Sequence, residues 1–517
     1  MKKAILSIFL FTMIATSCDD GFEELNKNPL SPTDVNFGAL FNSNVESLRL
    51  GWNRQLFLHN EVLYDVTEQA AVTAKTFGNV SGGAEDVWSN YYTALKNARE
   101  LYRRFDQLED PTIANTVRAQ LQILMAYKTF QVTDLFGDIP YSEAGQAFSD
   151  ESIIQPKYGS QEDIYKSVIT DLTDAVAALQ SNDGSLRYGA FDTFLGDNTD
   201  LWTRFANSLL LRHLVRMHDA APDFAAPRIL AIIQGGSNLV VKGQDIEMRP
   251  VAQGWLNLGV NWSFREHNKV RLGTTMWNTL ADGNEIIDPR ANIFFETNNA
   301  DEWAPFPQVP SADTPQSGGE PYQNNKRDVS YVDKGADNIY SPVNFYLIRD
   351  EEDIPEILMT SAEVKFLLAE IYQRGLGVTA DPFLAASNYQ NGMLESLEYW
   401  QEIMLNSKIW VNQPEINSIA QFFGVVQHPK YDINQATSEE AKLKLIYTQR
   451  WIDSFRQPWE AFALLRRTNN VPREKEANQF FRFQYPPSEQ AFNSENYTEQ
   501  VSKMGGDENG IGVWWME

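Results

Sequence analysis

The chain is 517 residues long and carries 43 Lys plus Arg against 69 Asp plus Glu, a formal net charge of −26. That balance excludes a general nucleic-acid binder, which needs a basic face, and makes an anionic polysaccharide a poorer fit unless a local basic patch overrides the total. A hydrophobic share of 43% and a charged share of 22% are ordinary for a folded globular chain.

Residues 1–17 read as a lipoprotein signal peptide. Lys2 and Lys3 precede an apolar run from Ala4 to Ile14, and small Ala15, Thr16 and Ser17 lead to Cys18. The run is short of the ~20 residues needed to cross a bilayer. Cys18 is the sole cysteine and stands where cleavage falls, so it is the expected lipidation site. Two or more acyl chains would anchor it stably in a membrane. With Cys18 acylated, no thiol is left for a disulfide, a zinc-thiolate site or a nucleophile.

Residues 18–36 read as a tether, acidic and poor in large apolar residues. A single domain is expected over 37–517. A helical scaffold is predicted over about 37–218 and 346–468, with an irregular ligand-binding region over about 219–345 and an irregular C-terminal segment over 469–517. Helix is predicted around 39–58, 86–108, 201–218 and 382–404. Val117, Leu121, Leu124 and Met125 mark another helical face. Ile164, Val168, Leu172, Ala175, Val176 and Leu179 recur along one side of a further helix. Val364, Leu367, Leu368 and Ile371 follow a Thr360–Ser361 start, and Leu443, Ile446, Tyr447 and Trp451 mark a late helix. The spacing of these helix pairs suggests tetratricopeptide-like hairpins. In the middle, Pro305, Pro307, Pro310, Pro315 and Pro321 with Gly318 and Gly319 exclude regular helix or central strand.

Catalytic and metal signatures are absent. Of five histidines, His213 and His218 are spaced by five, whereas a zinc pair on one helix face needs four with a glutamate between. No nucleophile elbow, phosphate loop or dinucleotide fingerprint occurs. Asp282-Gly-Asn-Glu285 with Asp288 is a faint calcium-like cluster without the spacing of a calcium loop, and a turn is the plainer reading. No metal ligand or cofactor is assigned. No pair among the 69 acidic residues stands out as a glycosidase dyad.

Aromatics are abundant, with 13 Trp, 20 Tyr and 30 Phe. A sugar ring packs its C–H face on an aromatic plane, while its hydroxyls need amides and carboxylates. The irregular middle supplies both. Trp255, Trp262, Trp303, Trp277, Phe306 and Tyr322 are the ligand-binding candidates, with Asn298, Asn299 and Gln308 among them. Trp277 sits in a predicted short helix, Thr274 to Leu280, which favours packing. Trp88, Trp400, Trp451 and Trp459 fall on helical patterns and read as core.

Several segments resemble the SusD/RagB family of outer-membrane lipoproteins of the Bacteroidetes. Thr133-Asp-Leu-Phe-Gly-Asp-Ile-Pro-Tyr-Ser-Glu-Ala144 is similar to that family's "DLFGDIPY" segment. Residues 359–370 resemble its "E-x-x-L-L-x-A-E" helix, and 457–468 its late "EAW…RRT" helix. Arg482-Phe-Gln-Tyr-Pro-Pro-Ser-Glu489 with Asn493 and Tyr497 resembles its closing stretch. These motifs occur in family order from the leader to the C-terminus.

The resemblance implies a mostly α fold with a tetratricopeptide-like scaffold and a loop-rich insertion. It implies a non-catalytic, lipid-anchored protein at the cell surface of the outer membrane, with no nucleic-acid partner. Such a protein would cap a SusC-like, TonB-dependent transporter and capture oligo- or polysaccharide for import. The shared motifs of the family are structural and its ligand residues vary, so none is carried over. The alternative is peptide capture of the RagB type, for which backbone-facing amides and mixed charge would serve better than aromatic planes.

Overall fold

The computed structural model describes residues 36–74, 80–147, 150–181, 185–236, 238–249, 263–264, 269–315, 319, 338–349, 354–408, 410, 413–416 and 419–516. Cys18 and the leader therefore lie outside the described residues.

Helices dominate. α1 (Phe37–Glu46) is followed by α2, a continuous helix built of Gly51–Asn53, a π-helical stretch Arg54–Leu63 and Tyr64–Thr67. The scaffold continues with α3 (Val80–Asp106), α4 (Asn115–Phe136), α5 (Gln161–Gln180), α6 (Thr199–Met217) and α7 (Pro222–Gln234). Successive helices pack on one another as hairpins from α3 to α7. The second half holds α8 (Thr274–Leu280), α9 (Arg290–Phe294), α10 (Phe345–Arg349), α11 (Ser361–Arg374), α12 (Pro382–Asn406), α13 (Ile419–Val426), α14 (Glu439–Asp453) and α15 (Pro458–Thr468). Strands are short, and the described ones pair only two by two, as in the Ile246–Met248 and Glu356–Met359 ladder.

Local chemistry sets the boundaries. Ser160 caps α5 by accepting from the Asp163 amide at 3.1 Å, and Thr360 caps α11 by accepting from the Glu363 amide at 3.0 Å. Gly375 ends α11 in the left-handed region at φ +72°. The stripe predicted on α5 is the buried one, with Ile164, Val168, Leu172, Ala175 and Leu179 all inside.

Two predicted irregular stretches contain helix. α7 opens the stretch from about 219, burying Ala225, Ile229 and Ile232 on one face. The C-terminal segment holds α16 (Pro487–Phe492) and α17 (Ser494–Met504), and of these two helices only Gln500 is buried.

The apolar interior forms two cores. One gathers α1, α3 to α7 and the end of the chain around Val513 and Trp515. The other gathers α8 to α10 and α12 to α14. Helices α11 and α15 wall both: Val364, Leu367 and Phe462 face the first, Phe366, Ala369 and Leu465 the second.

The seam between the cores is charged, and the sequence motifs meet there. Glu363 takes Arg212 at 2.5 Å and Arg450 at 2.9 Å. Arg216 bridges Asp134 and Glu460. Asp134 also accepts from the Tyr165 hydroxyl and, at 2.7 Å, from the Trp515 indole. Arg467 grips Glu370 at 2.6 and 2.7 Å. Arg466 donates to the carbonyls of Asp134 and Phe481, both at 2.7 Å. Arg482 donates to the Phe136 carbonyl at 2.9 Å, and the Tyr485 hydroxyl to that of Asp138 at 2.6 Å. Gly137 makes the turn between these contacts at φ +81° with ψ −130°, a conformation open in practice only to glycine. Buried charges persist only when paired and hydrogen-bonded, and here each motif supplies the partners of another.

Candidate functional site

The predicted histidine and acidic clusters are spent on structure. His213 stacks on Phe130 at 3.6 Å with its ring fully inside. His59 is buried edge-on to Trp459 at 4.7 Å. Burial pushes both imidazoles well below the ordinary histidine value, with neighbouring arginines adding to the effect. Asp282 and Glu285 belong to the two strands of a tight hairpin whose turn holds Gly283 at φ +60°, and Asp288 is buried on Arg290 at 2.6 Å. The calcium-like pattern is thus a turn and an ion pair. Among the described residues no group of three or more metal-ligating side chains converges.

The aromatic candidates divide. Trp255, Trp262 and Tyr322 lie outside the described residues. Trp277 and Trp303 come together, stacked at 5.5 Å between centroids with their planes 24° apart. Trp277, on α8, is 7% exposed and belongs to the second core, while Trp303 is half-buried and packs against that core from outside. Phe306 is 2% exposed, with Tyr340 edge-on at 5.0 Å. Expected as a ligand platform, Phe306 is instead packing, because its segment bridges Gly273 and places the ring inward.

The loop presenting Trp303 is firmly held. Asn298 Oδ1 accepts from the amides of Ala300 at 2.9 Å and Glu302 at 3.0 Å, and its Nδ2 donates to the Ile339 carbonyl. The amide of Ala304 donates to Ser341 Oγ, and that of Phe306 to the Leu272 carbonyl at 2.8 Å. Helix α8 is pinned as firmly. Glu474 accepts from Thr274 Oγ1 at 2.6 Å and Asn278 Nδ2 at 3.0 Å, and the Lys430 ammonium caps the end of the helix on the Ala281 carbonyl at 2.6 Å. Burial lowers the Lys430 ammonium from its ordinary value. A cavity of about 530 Å³ opens along the same helix, with Asn278, Lys430, Asp432, Gln435 and Lys444 on its walls. A half-buried aromatic on a loop of fixed backbone can take a ligand with one apolar face and many hydroxyls.

The fold is a helical scaffold, and Trp303 is an aromatic presented on one of its loops. A family model described as "Starch-binding associating with outer membrane" matches residues 29–486, and the chain belongs to this SusD-like family. A curated relative, SusD-like protein P2 of Formosa agariphila, is 26% identical over 193 residues, covering 33% of this chain and 37% of the relative. A solved SusD homolog from Parabacteroides distasonis matches with TM-score 0.73 and 20% identity, over 93% of this chain and 98% of the other. A chitin-binding SusD homolog from Flavobacterium johnsoniae matches with TM-score 0.68 and 20% identity, also over 93% and 98%. These likenesses establish the SusD-like, mostly α fold. The family is one of outer-membrane-associated binding proteins rather than enzymes. Among the described residues no helix is long and apolar enough to cross a membrane.

Proposed function

We propose that this protein captures oligo- or polysaccharide at the Trp303 face without catalysing its breakdown. It does so from the cell surface, held in the outer membrane by lipid on Cys18. It caps a SusC-like, TonB-dependent transporter, and ligand bridging the two partners shifts an open–closed equilibrium toward the closed state. The observation that carries the reading is the half-buried Trp303 stacked at 5.5 Å on buried Trp277. Trp277 fixes the plane of Trp303, so little side-chain entropy is lost when a sugar settles on it.

Titration calorimetry of the chain against neutral glucans, chitin oligosaccharides and peptide mixtures tests capture. Saccharide binding without turnover is the expected result. Binding of peptides alone would replace this reading with the RagB-type one, and hydrolysis of any polymer would end the non-catalytic part. Membrane fractionation of a Cys18→Ala variant tests the anchor: the variant should leave the membrane fraction, and its retention there would refute lipidation.

A further inference from the structure

Among the described residues a basic trough lies well away in sequence from Trp303. It lies along α3 and encloses about 550 Å³, within the range of small-ligand pockets. Lys96, Arg99 and Arg103 follow at intervals of three and four and so share one helix face. The opposite wall is the loop at Gly145 and Gln146. Gly145 has φ +77°, and a Cβ there would lie 3.2 Å from Arg99 Cγ and 3.3 Å from Lys96 Cα. Only glycine lets this loop close on the helix and wall the trough.

The charges are unevenly satisfied. Arg103 is bidentate on Glu100 at 2.7 Å, and Arg118 pairs with Asp106 at 2.5 Å. Arg99 donates only to the carbonyls of Tyr141 and Ser142, and its Nε is buried with no partner. Lys96 is exposed and, like Arg99, is paired with no carboxylate among the described residues. A second cavity of about 280 Å³ shares Arg99 and Tyr102 and adds Tyr141 and Asp171. Here Tyr102 and Tyr141 are half-buried rings, each beneath an arginine at 5.6 and 5.9 Å. The trough therefore offers the exposed Lys96 ammonium and the Arg99 guanidinium, whose charge is shared with Asp171, beside two tyrosines that each carry an arginine over one face.

We infer that the trough along α3 is a second saccharide subsite, taking a sugar that carries a carboxylate or sulfate on Lys96 and Arg99. The inference rests on the reading that this protein captures saccharides. An acidic peptide would meet the same cations, and poly-glutamate in the test separates it from an acidic sugar.

The test is calorimetry of the full chain with oligogalacturonate, sulfated galactan oligosaccharide, a neutral malto-oligosaccharide, poly-glutamate and sodium sulfate. Lys96→Glu and Gln146→Glu both change half-buried or exposed side chains, so the fold is kept, and thermal melting checks that. At least one acidic oligosaccharide should bind, and each variant should weaken it about tenfold or more, the worth of a charge-assisted contact. Neutral-sugar affinity should not change. Equal binding of poly-glutamate, binding of sulfate alone, or affinity for the acidic sugar unmoved in both variants would overturn the subsite. Neutral sugar bound without acidic sugar would sink the subsite but leave the proposed function standing. No saccharide bound at all would sink both.

Discussion

The seam between the two cores and the face at Trp303 are built on opposite plans. In the seam, charged side chains are dry, paired and locked across the length of the chain, with Arg216 joining Asp134 to Glu460. At Trp303, a large aromatic is left partly in water on a loop held by backbone and amide hydrogen bonds. The seam contains motif residues such as Asp134, Glu363, Glu370, Glu460 and Arg467, and the Trp303 face contains none of the motifs. The difference teaches that the recognisable motifs specify how the body assembles, while the loop at Trp303 is left out of that task.

The largest expected effect is in the seam. Arg216→Met leaves Asp134 and Glu460 buried without their bridge, and urea denaturation should show a loss of about 3–5 kcal/mol. A loss under 1 kcal/mol would mean that the seam is far wetter than described. Trp277→Ala should cost a similar ~3–5 kcal/mol, because it empties a ring from the second core, and it should weaken sugar binding as well. This variant joins the two plans, since the platform stands on the core.

Acid should attack the seam next. Burial would raise the Glu370 carboxyl, but Arg467 and Arg374 bring it down to about 2. Glu460 also lies at about 2, held down against its burial by Arg212 and Arg216. Both folded values lie below the unfolded one, so their stabilisation is complete above about 4.5 and is lost as pH falls from there through about 2. His213 is lowered by burial, so the unfolded chain takes up the proton first and stability falls already below about 6.5. Burial raises the Asp134 and Asp245 carboxyls instead, Asp245 to about 7, and these oppose the decline as pH falls, so the two stages are read as differences in denaturation midpoint between variants and the unaltered chain from pH 7 to 3. Glu370→Gln should lower the neutral midpoint and flatten the later stage, and an unchanged slope would contradict the assignment. Gly137→Ala, at φ +81°, should cost about 1–3 kcal/mol by backbone strain alone, seen as a lowered melting temperature.

Much of the scaffold was legible because apolar periodicity survives in a buried amphipathic helix, as with Ile164 to Leu179 on α5. Helix α7 was missed although Ala225, Ile229 and Ile232 carry the right spacing, because its short stripe stands at the start of a long stretch whose periodicity fades. Pro222, at its first helical position, is a good start. Helices α16 and α17 bury almost nothing and so left no stripe to read. The seam had no local signal at all: Arg216 is 82 residues from Asp134 and 244 from Glu460. The candidate site was half legible. Composition and broken periodicity pointed to Trp303, but nothing in the sequence indicated that Trp277 would stack behind it or that Phe306 would turn inward.

The most direct test of saccharide capture at this face is titration calorimetry of Trp303→Ala beside the unaltered chain, using whichever neutral oligosaccharide the unaltered chain binds. Removing the half-buried ring should lower affinity about tenfold or more while costing only about 1 kcal/mol of stability. Undiminished affinity in a folded Trp303→Ala protein would contradict the account.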